Sequence, residues 1–216
     1  MKHFIFDFDG TLTINSLNAW KYFWKKSGEK LGQNSRYQQL FDSFLKRKIT
    51  HKSWVKLSAN VFVKSGINKD DLNYVSKNQN LVNGFGEVVK YLIDNGFKLH
   101  IVSGGFKQVI VSAVGEYIQN FTSINANELE FDKSGVLKNI LNTKYDFENK
   151  KLYVDELISK GERIEDIYFI GNDINDEWVA RSGCFTICIN PENTNCKNKN
   201  IWNKTISNII DIINII

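Results

Sequence analysis

The stretch FDFDGTLT, residues 6–13, decides the fold of this chain. It ends a short apolar segment, KHFIF (residues 2–6), which predicts a buried strand, and its Asp-Gly pair predicts a turn directly after that strand. Side chains at positions i and i+2 of an extended segment point the same way, so Asp7 and Asp9 crowd their carboxylates at one strand end. Their repulsion is costly unless a cation or a proton is shared. The pair therefore indicates a divalent metal site, with a plain turn at Asp9-Gly10 as the structural alternative.

The same pattern, an apolar segment followed by polar turn residues, recurs three times. The segment at residues 98–102 leads into Ser-Gly-Gly, that at 167–170 into Gly-Asn-Asp, and that at 185–189 into Asn-Pro. Helix-like stretches lie between them, at residues 86–96, 106–118, 150–161 and 176–183. Strands that alternate with helices form a parallel sheet covered on both faces, so we predict a Rossmann-like α/β fold. Ligands bind beyond the carboxyl ends of such strands, which is where the polar clusters fall.

Residues 14–80 do not follow this alternation. They have helical periodicity, no clear strand and many large aromatic side chains. We interpret residues 14–80 as a helical insert placed directly after the first strand, where it would cover the site. We assign residues 1–13 and 81–216 to the core domain. We expect most of the aromatic residues of the insert to form its own core rather than a ligand site. These residues are Trp20, Tyr22, Phe23, Trp24, Phe41, Phe44, Trp54 and Phe62.

The composition is that of an ordinary globular protein of 216 residues, 42% hydrophobic and 24% charged, with a net charge of +4. Lysine and arginine are scattered among acidic residues, which argues against nucleic-acid binding. Cys184, Cys188 and Cys196 are odd in number and lack zinc spacing, and we expect the first two to be core thiols in a reducing cytosol. No apolar stretch reaches the roughly 18 residues of a membrane span, and the N-terminus lacks an export signal. The sequence therefore predicts a cytoplasmic protein without a membrane partner.

Three further polar clusters fall at predicted strand ends or helix starts. Ser103 and the following glycine pair offer a hydroxyl and closely approachable amides, which suit a phosphate oxygen. The sequence GNDIND, residues 171–176, supplies hard oxygen ligands that suit magnesium. Lys150 and Lys151 begin a helix and could place one ammonium against a phosphoryl group. Each cluster alone also fits a helix cap, a turn or a solvated charge, but their order along the chain favours one shared phosphate and metal site.

On these motifs the chain resembles the haloacid dehalogenase superfamily, in its phosphatase branch. DFDGTLT is similar to the first motif of that family, IVSGG to the second, Lys150 to the third, with Lys151 as an alternative, and GNDIND to the fourth. The likeness covers the whole chain and places residues 14–80 where the family has a helical C1 cap. The phosphoserine phosphatase-like group is the most similar, through VSGGF and through the hairpin that follows NANELEF and turns at residues 132–136.

The resemblance implies an enzyme that hydrolyses a small phosphorylated metabolite with the help of Mg2+. Asp7 resembles the nucleophile that becomes an aspartyl phosphate, and Asp9 resembles the general acid and base. Ser103 and Lys150 resemble the residues that hold the phosphoryl oxygens. The resemblance also implies substrate contacts at Phe8, Gly104 and Asn175, and metal ligands drawn from Asp7, the Asp9 carbonyl, Asn172, Asp173 and Asp176.

Two departures from the family pattern concern the metal and the substrate. Asn172 stands where the family has an aspartate, so either Asn172 or Asp173 ligates the metal. Ser16 stands where phosphoserine phosphatases have a glutamate for the substrate amino group, and Lys56 aligns with the arginine that holds the serine carboxylate. Both remain candidate substrate contacts. Because Ser16 carries no charge, we expect phosphoserine not to be the preferred substrate, and a less polar alcohol or a quaternary ammonium such as phosphocholine is the alternative.

Two other functions fit the same motifs. A phosphotransferase would pass the phosphoryl group to an acceptor alcohol instead of water, and a catalytically silent binding protein would retain only the fold. The intact Asp7, Asp9, Ser103 and Lys150 argue against the silent protein, whereas Asn172 argues for it. A dehalogenase is disfavoured, since dehalogenases do not need the second aspartate that Asp9 provides.

Overall fold

A seven-stranded sheet forms the centre of the computed structural model, which describes residues 1–190 and 199–216. The strands lie in the order β4-β3-β2-β1-β5-β6-β7, and all neighbours are parallel except the antiparallel pair β3 and β4. Their bounds are β1 Lys2–Phe6, β2 Phe97–Phe106, β3 Phe121–Phe131, β4 Leu137–Leu141, β5 Ile167–Gly171, β6 Phe185–Ile189 and β7 Lys204–Ile206. The predicted Rossmann-like α/β fold is confirmed.

Helices cover both faces of the sheet and form the insert. The α-helices are α1 Ala19–Lys26, α2 Arg36–Leu45, α3 His51–Lys64, α4 Lys69–Lys77, α5 Phe85–Asp94, α6 Lys107–Val114, α7 Lys151–Ser159 and α8 Glu177–Ala180. Short 3-10 helices lie at Gly115–Asn120, Phe147–Lys150, Ile164–Asp166, Lys199–Ile201 and Ile209–Asn214. Among the described residues, no helix is long and apolar enough to cross a bilayer.

The first strand shows why the sheet is buried on both faces. Phe4 and Phe6 pack in one hydrophobic cluster, together with α5 and α6, while Ile5 packs in another on the opposite face, together with α7. Side chains alternate across a strand, so a strand between two helical layers must be apolar at every position. This requirement produces the uninterrupted apolar run before Asp7.

The hairpin predicted at residues 132–136 joins β3 to β4. Its turn is closed by Asp132, whose carboxylate accepts the amides of Ser134 and Val136 at 2.9 and 3.0 Å. Gly135 takes a φ of 84°, which glycine adopts without steric penalty. Strand β2 is longer than the predicted segment, because it continues through the Ser-Gly-Gly stretch to Phe106.

The four helices of the insert each begin at a side-chain cap. Asn18, Ser35, Thr50 and Asn68 each accept a backbone amide from the first turn of α1, α2, α3 and α4, respectively. Such caps satisfy amides that have no partner within the helix. The chain enters and leaves the insert at one place, since Thr13 forms an antiparallel bridge with Leu81.

The aromatic side chains of the insert form a packed cluster that continues into the core domain. Phe23, Trp24 and Phe62 are fully buried, and Trp20 lies with its ring centroid 4.4 Å from that of Phe106, at the end of β2. Phe23 also contacts Phe106, at 5.5 Å between centroids. Most of the aromatic rings of the insert are thus buried in a hydrophobic core, as expected. Some of them also pack against the end of β2 and so hold the insert against the sheet.

The two described cysteines, Cys184 and Cys188, are buried thiols without a disulfide, as predicted. Burial raises the pKa of Cys184 to about 11, so this thiol is unreactive at neutral pH. Cys196 lies outside the described residues.

Two histidines form a hydrogen-bonded network beneath α7. The His3 Nδ1 atom lies 2.9 Å from His100 Nε2, and His100 Nδ1 lies 2.9 Å from the Tyr153 hydroxyl. Burial and the charge of His3 lower the pKa of His100 to about 3, and burial also lowers the pKa of His3. The folded protein therefore holds both imidazoles neutral near pH 7.

This network predicts a loss of stability in mild acid. The unfolded chain takes up a proton near the usual histidine pKa of about 6.5, whereas folded His100 does not, so stability is full above that pH and falls as the pH drops below it. At pH 5 the expected loss from His100 alone is about 2 kcal/mol. Urea unfolding at pH 7 and pH 5 measures it, and His100→Gln should show a smaller loss between the two values. Equal losses in both proteins would contradict the assignment.

Candidate active site

A cavity of about 550 Å³ lies between the insert and the carboxyl ends of the parallel strands. We call it the central cavity. The core domain contributes Asp7, Asp9, Ser103, Gly104, Gly105, Asp146, Phe147, Asp173, Ile174 and Asn175. The insert contributes Asn18, Trp20, Lys21, Tyr37, Gln38, Phe41, Phe44, Leu45 and Trp54. The core side of the cavity is therefore mainly polar and acidic, and the insert side is mainly aromatic.

Asp7 sits at the end of β1, where its amide donates to the Ile170 carbonyl of β5 at 2.9 Å. Its carboxylate is 2.7 Å from the Lys150 ammonium, and the same ammonium is 2.5 Å from Asp176. The exposed fraction is 3% for Asp7 and 1% for Lys150, and Asp176 is fully buried. Three charged groups from three parts of the sequence thus form one buried cluster, in which two carboxylates share one ammonium.

Burial and the neighbouring charges shift the pKa values of Asp7 and Lys150 in this cluster. Burial, and then the charge of Asp176, raise the pKa of Asp7 to about 8, although Lys150 opposes the shift. Burial alone would lower the pKa of Lys150, but the carboxylates of Asp176 and Asp7 outweigh it and raise that pKa. Lys150 is consequently a permanent cation, and the cluster carries an excess of negative charge.

Asp9 is the second carboxyl group in the central cavity. Its Oδ2 atom lies so close to the backbone at Gly105 that a Cβ there would come within 2.8 Å of it, which explains the glycine. Burial and the charge of Asp146 raise the pKa of Asp9 to about 6, although Lys150 opposes the shift. A carboxyl group with such a pKa exchanges a proton readily near neutral pH.

Asn127 and Trp20 hold the end of β2, which carries Ser103 and Gly104. The Ser103 hydroxyl accepts the Gly105 amide at 3.0 Å. The Gly104 carbonyl accepts two hydrogen bonds, from the Asn127 amide group at 2.8 Å and from the Trp20 indole at 2.9 Å. Since Trp20 belongs to α1, the insert is bonded directly to the end of β2 that faces the cavity.

A second polar contact joins the insert to the core domain at Asp146. The Nε2 atom of His51, at the start of α3, lies 3.0 Å from the Asp146 carboxylate, and both side chains are largely buried. Burial would raise the pKa of Asp146, but the hydrogen bond and charge of His51 lower it below its usual value. A Cβ at Gly104 would come within 2.5 Å of the same carboxylate, so only glycine fits beside it.

Asp176 organises the fourth motif. Its Oδ1 atom bonds Lys150, and its Oδ2 atom accepts the amides of Asn172 and Asp173 at 2.8 and 3.1 Å. Both carboxylate oxygens of Asp176 are therefore engaged by Lys150 and by the backbone of the fourth motif. Asn172 turns toward the first motif, where its Oδ1 accepts the Thr11 hydroxyl at 3.0 Å.

The structure brings together most of the residues that the sequence singled out. Asp7, Asp9, Ser103, Gly104, Asp173 and Asn175 line the central cavity, with Lys150 and Asp176 directly behind Asp7. Lys150 is distinguished from Lys151 by burial, since Lys150 is buried, whereas the Lys151 side chain is 42% exposed and lies 3.5 Å from Asp155 on α7. The Phe8 side chain is packed in the core, so only its backbone, between Asp7 and Asp9, lies near the site.

Two predicted substrate contacts lie elsewhere. The Ser16 hydroxyl accepts the Asn80 amide at 2.9 Å, so it joins the two chain segments that connect the insert to the core. Lys56 is exposed on α3 and does not line the central cavity. Trp54 of the same helix does line it, and residues two apart on a helix do not share a face.

Several site residues were missed from the sequence. Asn127 looked like an ordinary strand residue, and only the pairing of β2 with β3 places it against the Gly104 loop. Asp146 and His51 are distant in sequence and meet because the insert folds back over the core. The sequence signal that could have flagged Asp146 is its position four residues before Lys150.

No described group of three or more histidine, cysteine, aspartate or glutamate side chains is arranged to hold a metal ion. Oxygen ligands of other kinds are available beside Asp7. The Thr11 hydroxyl lies 3.5 Å from Asp7 Oδ2 and 3.0 Å from Asn172 Oδ1, so these two oxygens face one small region. Mg2+ binds through one or two carboxylates with carbonyl oxygens and water, so this donor set fits it.

Comparisons with solved structures show the same fold. A substrate-bound phosphoserine phosphatase complex has a TM-score of 0.73 at 17% identity, with 100% of this chain and 98% of that chain covered. A phosphoserine phosphatase with a phospho-aspartyl intermediate analogue has a TM-score of 0.70 at 18% identity, with 100% and 98% covered. A phosphoserine phosphohydrolase-like protein from Francisella tularensis has a TM-score of 0.67 at 20% identity, with 100% of both chains covered.

Family membership follows from the sequence as a whole. A comparison with curated proteins gives no match. The family model described as haloacid dehalogenase-like hydrolase matches residues 1–183, which include all the motifs that converge on the central cavity. The chain belongs to the haloacid dehalogenase-like hydrolases.

Proposed function

We propose that this hydrolase cleaves phosphomonoesters of small metabolites through an aspartyl phosphate formed on Asp7. The observation that carries the proposal is the buried cluster at the floor of the central cavity, where Lys150 contacts Asp7 at 2.7 Å and Asp9 lies beside the same opening. A carboxylate fixed by an ammonium, with a second carboxyl group of raised pKa nearby, is suited to nucleophilic attack coupled to proton transfer.

In the first step the Asp7 carboxylate attacks phosphorus, and the bond from phosphorus to the leaving oxygen breaks. Asp9 donates its proton to that oxygen, so the alcohol leaves in neutral form. Lys150 keeps the Asp7 carboxylate oriented, and Ser103 with the amides of its loop receives the phosphoryl oxygens. The insert covers the site and excludes bulk water.

In the second step water attacks the phosphorus of the aspartyl phosphate. Asp9, now ionised, takes the proton from that water, and the bond between phosphorus and the Asp7 oxygen breaks. Inorganic phosphate leaves, and Asp7 and Asp9 return to their starting states. Splitting the hydrolysis in this way replaces one difficult displacement by two easier ones.

The donor set beside Asp7 supports Mg2+ as the cofactor. Asp7, the Asp9 carbonyl and Asn172 would hold it, with Asp173 as the alternative to Asn172. Burial, together with the charges of Asp176 and Asp146, raises the pKa values of Asp7 and Asp9, and a divalent cation would stabilise the ionised form of both carboxyl groups. When bound, the ion supplies charge neutralisation that lets an anionic phosphate approach an anionic carboxylate.

Phosphate release from a panel of small phosphorylated metabolites tests the proposal. We expect at least one compound to be hydrolysed in the presence of Mg2+, with activity lost on addition of a chelator and restored by excess Mg2+. Absence of release across the whole panel would contradict the proposed function. Phosphate release that does not change when the chelator is added would contradict Mg2+ as the cofactor and leave the phosphatase function intact.

The choice of metal ligand gives a separate prediction. Because Asn172 Oδ1 faces Asp7 across the Thr11 hydroxyl, Asn172→Asp adds a charged ligand and is expected to lower the Mg2+ concentration for half-maximal activity by roughly tenfold. Asp173→Asn is expected to change that concentration by less than about twofold. Magnesium titrations of both variants measure this. A sharply raised Mg2+ requirement in Asp173→Asn would instead assign the ligand to Asp173.

A further inference from the structure

We propose that the central cavity contains an apolar subsite, centred on Phe147, that selects phosphomonoesters whose alcohol carries an apolar or aromatic group. This inference rests on the proposed phosphatase function and names the substrate class of the same site. We call Tyr37, Phe41, Leu45, Phe147 and Ile174 the apolar subsite; all five line the central cavity.

These five side chains are apolar or aromatic but incompletely packed. Leu45 has 44% of its surface exposed, and the other four are only partly buried, whereas Trp20 and Trp54, which also line the cavity, are buried. Apolar side chains left open around a concave site are the usual lining of a small-molecule pocket. Their burial by an apolar part of the substrate would supply the free energy that an uncharged leaving group cannot obtain from ion pairs.

The backbone of Phe147 adds an independent observation. Its φ is 49°, in the left-handed region that a bulky L-residue rarely adopts. Backbone strain of this kind persists where surrounding contacts enforce it, and it concentrates at functional sites. Phe147 is held by its neighbours: its amide donates to Asp146 at 2.9 Å, and its ring packs edge-on against Phe44 at 4.4 Å.

Phe147 lies on the same short segment as Lys150, the residue that contacts Asp7. Phe147 directly follows Asp146, which contacts His51 of the insert, and it is the first residue of the 3-10 helix that ends at Lys150. The ring is therefore set on the same short segment as the cation that holds Asp7. Phe147 lines the same cavity as Asp7 and Asp9, so its ring is available to a leaving group bound there.

The charged groups of the cavity argue against a zwitterionic or cationic leaving group. No carboxylate of the insert lines the central cavity within the described residues, so an ammonium group would depend on the core carboxylates. Two core carboxylates lie beside the apolar subsite: Asp146 is already paired with His51, and Asp173 already accepts the Ile174 amide at 2.6 Å. Lys21 adds a positive charge to the insert side, which disfavours a substrate cation further.

Matched substrates test the subsite. Hydrolysis of ethyl phosphate and of phenethyl phosphate releases alcohols of similar acidity, which differ mainly by an aromatic ring. The ratio of the two kcat/KM values therefore reports recognition rather than leaving-group chemistry. We expect phenethyl phosphate to be preferred by at least about tenfold, which is within the range that apolar pockets achieve. Phosphoserine and phosphocholine, measured alongside, are expected to fall below phenethyl phosphate.

Substitutions at Phe147 separate recognition from stability. Phe147→Gly removes the ring at a φ that glycine adopts readily, so the fold is expected to tolerate it, and thermal unfolding verifies this. The preference for phenethyl over ethyl phosphate should fall about tenfold in Phe147→Gly and recover in Phe147→Leu. Tyr74→Ala is the matched control, because Tyr74 is an aromatic residue of the insert with 53% of its surface exposed and does not line the cavity.

The outcomes distinguish the subsite from the underlying function. Hydrolysis of ethyl and phenethyl phosphate at equal kcat/KM would overturn the subsite and leave the phosphatase function intact. A preference that persists in folded Phe147→Gly would overturn the role of Phe147, as would an equal loss in Tyr74→Ala. A preference for phosphoserine or phosphocholine over phenethyl phosphate would overturn the substrate class. Absence of phosphate release, with or without Mg2+, from all four compounds and from the metabolite panel would contradict the phosphatase function itself.

Discussion

Asp7→Asn is expected to abolish phosphate release and to leave the fold intact. The substitution removes the attacking carboxylate but keeps the size of the side chain, and Lys150 retains Asp176 as a charged partner. Because burial and the charge of Asp176 disfavour the ionised form of Asp7, replacing it by a neutral amide should leave the thermal unfolding temperature unchanged or higher. Phosphate release on the best substrate, together with thermal unfolding, measures both effects.

The matched control for this experiment is Asp94→Asn. Asp94 is exposed and pairs with Lys90 on the surface of α5, so its replacement should affect neither activity nor stability appreciably. Residual activity of Asp7→Asn within tenfold of the parent protein would remove Asp7 from the role of nucleophile. Loss of activity through unfolding is recognised in the thermal measurement and is not expected.

Asp9→Asn is expected to reduce the rate by about 10² to 10⁴-fold, the contribution that a positioned acid and base usually makes. The loss should depend on the leaving group. An alkyl phosphate needs a proton on its leaving oxygen, whereas p-nitrophenyl phosphate does not, so the first step should be impaired much less for p-nitrophenyl phosphate. The second step still needs the base, and the aspartyl phosphate should therefore accumulate.

Rapid mixing of Asp9→Asn with p-nitrophenyl phosphate measures this directly. We expect a burst of p-nitrophenol, equal in amount to the enzyme, followed by slow turnover. A uniform loss for both kinds of substrate without a burst would indicate that Asp9 acts only by placing the metal or the loop at Gly105. The pKa of Asp9, raised to about 6 by burial and by Asp146, is consistent with a group that both donates and accepts a proton.

Sequence patterns predicted the parallel sheet well because each core strand carries its own signal. The segment that ends at Phe6 is apolar from Phe4 onward and is followed at once by turn residues, and the segment that ends at Ile170 is apolar at every buried position. The edge strands β4 and β7 give a weaker signal, since several of their side chains face solvent. The geometry at the strand ends followed from the parallel topology, which brings the first, second and fourth motifs to one edge.

The contacts between the insert and the core could not be predicted from sequence. The helical periodicity of residues 14–80 predicts helices but contains no information on which rings face the core, because that depends on how the helices pack together. Alignment alone suggested Ser16 and Lys56 as substrate contacts, and the structure places one at the connection to the insert and the other on an exposed helix face. Side-chain direction, rather than position along the chain, decides which residues reach the cavity.

The bridge between Thr13 and Leu81 has a consequence for how such a protein can evolve. The chain leaves and re-enters the core at neighbouring points. A short loop could therefore join these two points as readily as the whole insert does, because the entropy of loop closure depends only weakly on loop length. Replacing the insert would exchange the aromatic wall of the cavity while Asp7, Asp9 and Lys150 stayed in place. The fold therefore allows the wall of the cavity to change separately from the cluster at the strand ends, with contacts such as that of the Trp20 indole with the Gly104 carbonyl joining the two parts.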